Sequence, residues 1–159
     1  MFKLIKNRAA FVQMCALLPG LLIASSSYAF SNQAATFCVN KGGDRQLIKT
    51  PTERFGVCNL GGAIIEEWTL LRGAEGNQSL QAWIAYSAGR PPLGESRGNP
   101  ASGNCIHQGG RGVFGKDQTG GELGMCKFPD GSMIEEWTLF FGFASTRNDA
   151  LNQVLNTGG

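Results

Sequence analysis

Apolar positions along the chain come in short runs cut by glycine and turn residues, and the pattern of one stretch returns in another. Residues 35–73 align with residues 102–142. Cys38-Val-Asn-Lys-Gly42-Gly43 corresponds to Cys105-Ile-His-Gln-Gly109-Gly110, and Phe55-Gly56-Val57-Cys58 to Leu123-Gly124-Met125-Cys126. Ile65-Glu66-Glu67-Trp68-Thr69-Leu70 returns letter for letter as Ile134-Glu135-Glu136-Trp137-Thr138-Leu139. The offset is 67 residues at the first cysteine and 69 at the tryptophan, which two single-residue length differences explain. Agreement of this kind marks a duplication of one supersecondary unit.

Each copy predicts a helix followed by three strands. Asn99-Pro100 suits a helix start, with asparagine as N-cap and proline at the first helical position. That helix runs to about Gln108 and stops at Gly109-Gly110; in the first copy Ser31 caps a helix that stops at Gly42-Gly43. Strands are expected over 112–116, 122–128 and 133–141. Thr119-Gly120-Gly121 and the strong turn Pro129-Asp130-Gly131 separate them, with Gly61-Gly62 as the second turn of copy one. On a strand, alternation puts Glu66, Trp68 and Leu70 on one face and Glu67, Thr69 and Leu71 on the other. Trp68 and Trp137 are then expected in the core of each unit. Glu66 and Glu135, beside them, would accept hydrogen bonds from turn amides or pair with an arginine. The fold class is α+β: two small tandem domains, each a helix plus a three-stranded antiparallel meander, disulfide-stapled. The expected organisation is a leader at 1–29, a first repeat domain at 30–73, a linker at 74–98, a second repeat domain at 99–142 and a tail at 143–159. Leu80, Trp83, Ile84 and Tyr86 make part of the linker apolar enough to pack as a short helix or an extra strand. In the tail, Thr146 is the expected N-cap of a short amphipathic helix.

Charge and composition change the picture mainly at the N-terminus. Lys3, Lys6 and Arg8 precede the apolar stretch 9–24, and Ser27-Tyr28-Ala29 supplies small residues around a cut after Ala29. This is the order of a secretory signal peptide. Gln13, Pro19 and Gly20 interrupt a run already short of the roughly 20 apolar residues a membrane anchor needs. Cys15 sits inside the run behind Gln13-Met14, which is not the setting of a lipid-accepting cysteine. The mature chain, residues 30–159, holds 11 Lys+Arg against 12 Asp+Glu, a net charge of −1. The overall excess of +2 thus belongs to the leader, and no basic patch remains for nucleic acid. Glycine makes up 22 of the 130 mature residues, which implies many turns and a small core that needs covalent support.

Four mature cysteines, an even number in an exported chain, point to disulfides. A unit that was once self-sufficient carries its own bridge, so duplication selects Cys38–Cys58 and Cys105–Cys126 among the three pairings. Spacings of 20 and 21 with one histidine in the chain do not match a metal site, and there is no Cys-x-x-Cys for redox work. No cofactor is expected. His107 is the only histidine, and Asn40 stands in its place in copy one, with no partner identifiable for base catalysis. Adjacent glutamates on a strand point apart, so neither Glu66-Glu67 nor Glu135-Glu136 forms a carboxylate dyad. Nucleophile-elbow, P-loop and zincin motifs are absent from the sequence. The Gly42-Gly43 and Gly109-Gly110 pairs follow helices and do not precede them, which rules out a phosphate cradle.

Asn99-Pro100-Ala101-Ser102, Cys105, Gly109-Gly110, Gly124-Met125-Cys126, Pro129-Asp130-Gly131, Glu135-Glu136-Trp137 and Gly142 together resemble a small bacterial domain of unknown function (number 333) whose members are often labelled hemolysins. The resemblance covers most of copy two and, more weakly, copy one. It implies an exported protein with no established activity. Many such domains carry two further cysteines at about the places of Ile134 and Ala144, and of Ile65 and Ala74 in copy one; their joint absence here fits pairing within each copy. Lysis would need an amphipathic helix, a long apolar segment or barrel strands, and residues 139–144 are far too short to span a membrane. The functional expectation is an exported, non-enzymatic binding or structural module, periplasmic or secreted. Its partner would be an unidentified envelope or extracellular molecule, with neither nucleic acid nor a stable membrane anchor involved. The alternatives are a membrane-active toxin and a protease-inhibitor-like module presenting residues 111–121.

Overall fold

The computed structural model describes residues 32–91 and 98–156. The leader with its Ala29 cut, Cys15, Ser31 and linker residues 92–97 lie outside the described residues. Copy one contains α1 (Gln33–Asn40), β1 (Asp44–Lys49), β2 (Arg54–Leu60), β3 (Ala63–Glu66) and α2 (Glu67–Ala74). After it comes α3 (Gln81–Ala88). Copy two contains α4 (Pro100–His107), β4 (Arg111–Lys116), β5 (Glu122–Lys127), β6 (Met133–Glu135) and α5 (Glu136–Phe141). A 3-10 turn at Thr146–Asn148 then leads into α6 (Asp149–Asn156).

Local chemistry explains these boundaries. Asn99 caps α4 through the Ala101 amide with Pro100 in the first turn, and Asn32 caps α1 through Ala34 and Ala35. Gly42 and Gly109 follow the two helices with φ of +80° and +85°, a left-handed conformation that suits glycine. The β2–β3 hairpin turns on Gly61 and Gly62, both at positive φ, as a tight primed turn requires. In the tail Ser145, not Thr146, caps the 3-10 turn, because its hydroxyl reaches the Arg147 amide.

Two expectations about the sheet need correction. The third strand does not run to Phe141: β3 and β6 are only four and three residues long, and the chain turns helical at Glu67 and Glu136. Nor are the meanders separate. All six strands form one closed barrel in the order β1-β2-β3-β6-β5-β4. Each meander is antiparallel within itself, and the two join edge to edge through Ile65↔Ile134 on one side and Lys49↔Lys116 on the other. A three-stranded unit leaves two open edges, and closing them on a second copy removes both.

Strand alternation divides the core into two layers. Ile48, Val57, Val113, Met125 and Met133 fill the barrel, where a Cβ on Gly115 would approach Ile48 Cγ2 to 2.5 Å. Cys58 and Cys126 face the other way, into a larger cluster with Leu70, Ala82, Tyr86, Leu139 and Leu151 under the helices. The linker helix α3 has no cap of its own; the Asp130 carboxylate accepts from the Gln81 amide at 2.7 Å and the Ser132 hydroxyl from the Ala82 amide at 3.0 Å. Burial opposes the charge on Asp130, but hydrogen bonds from Ser132 and Gln81, with Arg72 nearby, hold its carboxyl below the ordinary range. At the far end Asn148 donates to Thr138 and Gly142 carbonyls, satisfying the last turn of α5.

Asn104 on α4 is fully buried, and neither polar atom of its side chain has a partner among the described residues. Phe37 holds this place in copy one. Asn104→Leu should therefore raise stability by about 1–2 kcal/mol, seen as a higher urea midpoint with unchanged slope.

Candidate functional site

The disulfides join Cys38 to Cys58 and Cys105 to Cys126, tying each copy's first helix to its middle strand. Gly43 and Gly110 lie against them. A Cβ at either would come within 2.3 Å of a cystine sulfur, so the second glycine of each pair is a clearance for the bridge. Among the described residues no group of three or more His, Cys, Asp or Glu side chains is arranged to hold a metal ion.

The repeated Glu-Glu-Trp-Thr motif sits where each short strand becomes a helix. Glu66 ends β3 and caps α2, accepting from the Trp68 and Thr69 amides at 3.0 and 2.8 Å. Glu135 does the same for α5, accepting from Trp137 and Thr138 at 2.9 and 2.7 Å. The threonine hydroxyls extend this contact across the barrel seam. Thr69 Oγ1 donates to Glu66 and accepts from the Met133 amide of copy two, while Thr138 Oγ1 donates to Glu135 and accepts from the Ile64 amide of copy one. The exchange is reciprocal and buried, so much of the motif serves to lock the copies together.

The tryptophans do not fill the core. On a helix their side chains leave the face that Glu66 or Glu135 occupies, and Trp68 and Trp137 are 45% and 41% exposed. Trp137 packs on Phe140 and Phe141 at centroid distances of 5.4 and 5.9 Å, and Arg90 and Arg147 sit over those two phenylalanine rings. Copy one has Leu71 and Arg72 in the phenylalanine positions. A cavity of about 190 Å³ lies between this cluster and the Gly61-Gly62 turn.

Burial raises the Glu135 carboxyl above its ordinary value, against the hydrogen bonds from Trp137 and Thr138. A folded pKa above the unfolded value of about 4.3 gives stability that is full below that value and is lost as pH rises through the folded pKa. The stability of the native protein minus that of Glu135→Gln, which cannot titrate, should therefore fall between about pH 4 and about pH 7. Urea unfolding of both proteins at the two pH values reads the sign.

Glu67 and Glu136 are the first residues of their helices and are buried against glycine: a Cβ at Gly56 would meet the Glu67 carboxyl at 2.3 Å, and one at Gly124 would meet Glu136 Oε2 at 2.9 Å. Glu67 accepts from Asn32 Nδ2 and from Arg45 Nε. Glu136 Oε2 accepts from Ser102 Oγ at 2.6 Å. His107 is exposed at the end of α4. Sequence reasoning therefore placed these glutamates on the wrong element. The available signal was the glycine two positions before each second cysteine, which marks where something approaches the strand closely.

A groove of about 570 Å³ lies where β1 and β4 meet through the single pair Lys49↔Lys116. Lys49, Thr50 and Pro51 line it from copy one, and Phe114, Lys116 and Glu122 from copy two. Phe114 is 62% exposed. Lys116 stands 3.8 Å from Glu122 on a well-solvated surface. Of residues 111–121, the first six are strand β4. The rest is a turn held by Asp117, which accepts from the Thr119 and Gly121 amides.

Two disulfides, and no helix among the described residues long and apolar enough to cross a membrane, are compatible with a periplasmic or extracellular location. No curated protein and no solved structure matches the chain. The family model "Domain of unknown function (DUF333)" matches residues 29–74 and again residues 96–142. These regions contain both disulfides, both Glu-Glu-Trp-Thr motifs and all six strands, and they cover more than half of the chain, which thus belongs to the DUF333 family as two tandem copies of its domain.

Proposed function

We propose that this is an exported, non-enzymatic binding module of the periplasm or extracellular space, and that it takes its ligand in the groove between β1 and β4. One observation carries the reading: the groove is built jointly by the two copies, at the seam where the barrel closes on a single residue pair. Duplication thereby supplies a concave surface that one copy lacks. Its walls combine Lys49 and Lys116, balanced by Asp117 and Glu122, with Phe114 and Pro51, a chemistry suited to a polar group of mixed charge on an apolar body. Export is supported by the basic head and apolar run ahead of Ala29 and by the disulfides.

Affinity capture from envelope extract tests this, with the oxidised mature chain run beside a Lys49→Glu/Lys116→Glu variant of unchanged melting temperature. The expected result is a molecule retained by the native protein and lost by the variant. Equal retention by both, or chemical conversion of the retained molecule, would reject the proposal.

A further inference from the structure

Copy one neutralises its buried glutamate from two sides, and copy two does not. Arg45 Nε donates to Glu67 Oε1 while Asn32 donates to Oε2. Copy two repeats the carboxylate, the glycine beneath it and the neighbouring helix, but not the arginine. Arg45 pairs with Cys58 in its sheet, and the residue paired with the equivalent Cys126 is Gly112. Glu136 is 2% exposed. Its Oε2 has Ser102, and its Oε1 has no partner among the described residues. Phe114 stands over the gap. A Cβ at Gly112 would lie 3.3 Å from Glu136 Oε1 and 3.0 Å from the Phe114 ring, and one at Gly124 would lie 3.1 Å from the same ring.

A buried carboxylate oxygen without a donor is a standing cost, and the duplicated site shows which group relieves it. We propose that the space over Gly112, between Glu136 Oε1 and the Phe114 ring, binds a guanidinium group supplied from outside the chain, either as a free small molecule or as the arginine side chain of a peptide. The guanidinium donates N–H to Oε1 as Arg45 does to Glu67, and its plane stacks on Phe114. Phe114 covers the oxygen when the site is empty, and its exposure leaves it room to rotate aside. Phe114 borders both this space and the β1–β4 groove, but Glu136 does not line the groove, so binding lost in Glu136→Gln and kept in Lys49→Glu/Lys116→Glu separates this site from that reading.

The test is an NMR titration of the oxidised mature protein with ethylguanidinium and, separately, with the peptide Gly-Arg-Gly. Saturable shifts are expected at Gly112, Phe114 and Gly124. They should weaken about tenfold or more in Glu136→Gln. They should vanish in Gly112→Arg/Phe114→Leu, which rebuilds the Arg45 and Leu47 pair of copy one and supplies its own guanidinium. Saturation by the peptide alone identifies an arginine side chain; saturation by both identifies the free group as sufficient. No saturable shift with either probe overturns the proposal, as does binding undiminished in the double variant. If Glu136→Gln does not fold, the double variant decides alone, its fold confirmed by a melting temperature at or above that of the native protein.

Discussion

Replacing Cys105 and Cys126 together by alanine lowers stability by about 3 kcal/mol and the melting temperature by on the order of 10 °C, in one transition for both copies. The magnitude follows from the chain entropy that a loop of this length regains; the Cys38–Cys58 pair closes 20 residues and the Cys105–Cys126 pair 21, so the two removals should cost alike. The single transition follows from the barrel. Both cystines belong to one buried cluster that also contains side chains from α2, α3, α5 and α6, and neither meander has its edges closed without the other. Calorimetry reads this directly. Two separated transitions, with copy one melting at the native temperature after the copy-two bridge is lost, would show that the copies are independent after all.

Gly56→Val is expected to cost about 3–5 kcal/mol, more than most strand substitutions. Valine itself suits a strand, and Gly56 does not have a positive φ. The damage falls on Glu67. The new Cβ would stand 2.3 Å from its carboxyl carbon and Oε2, which must move off Asn32 and Arg45. A buried charge that loses its partners is among the most destabilising changes a core can suffer. Urea unfolding measures the loss, and a Gly56→Val/Glu67→Ala double variant separates the cause: removing the carboxyl frees the room valine needs, so the double variant should cost much less than the sum of the two single changes. A loss below about 1 kcal/mol for Gly56→Val alone would show that the carboxylate has another place to go.

The Glu-Glu-Trp-Thr motif shows where sequence reasoning went astray. Ile134-Glu135-Glu136-Trp137-Thr138-Leu139 alternates well enough for a strand, and glutamate is not among the preferred N-caps. The alternation stops meaning anything after Glu135, because α5 begins there and the side chains leave the strand's two faces. Trp137 is carried outward for that reason, and Glu136 inward onto Gly124. The candidate sites were less legible still. Nothing in the spacing of Lys49 and Lys116 says that they meet across a barrel seam, and the bare oxygen of Glu136 is visible only beside its counterpart in copy one.

Sequence by itself determined the duplication, the Asn99-Pro100 helix start, the stops at Gly42 and Gly109, the Gly61-Gly62 turn, and the within-copy cysteine pairing that the structure contains. Apart from the duplication itself, these are relations between residues close in the chain, where φ preference, donor geometry and loop length act without reference to distant partners. Only the tertiary structure decided that β3 pairs with β6 and β1 with β4, that Thr69 and Thr138 exchange hydrogen bonds across the seam, and that Asp130 caps a helix of the linker. Strand alternation specifies a buried face but not the neighbour along an open edge. That choice rests on which closure buries the most apolar surface and leaves the fewest backbone groups unpaired, a property of the whole chain at once.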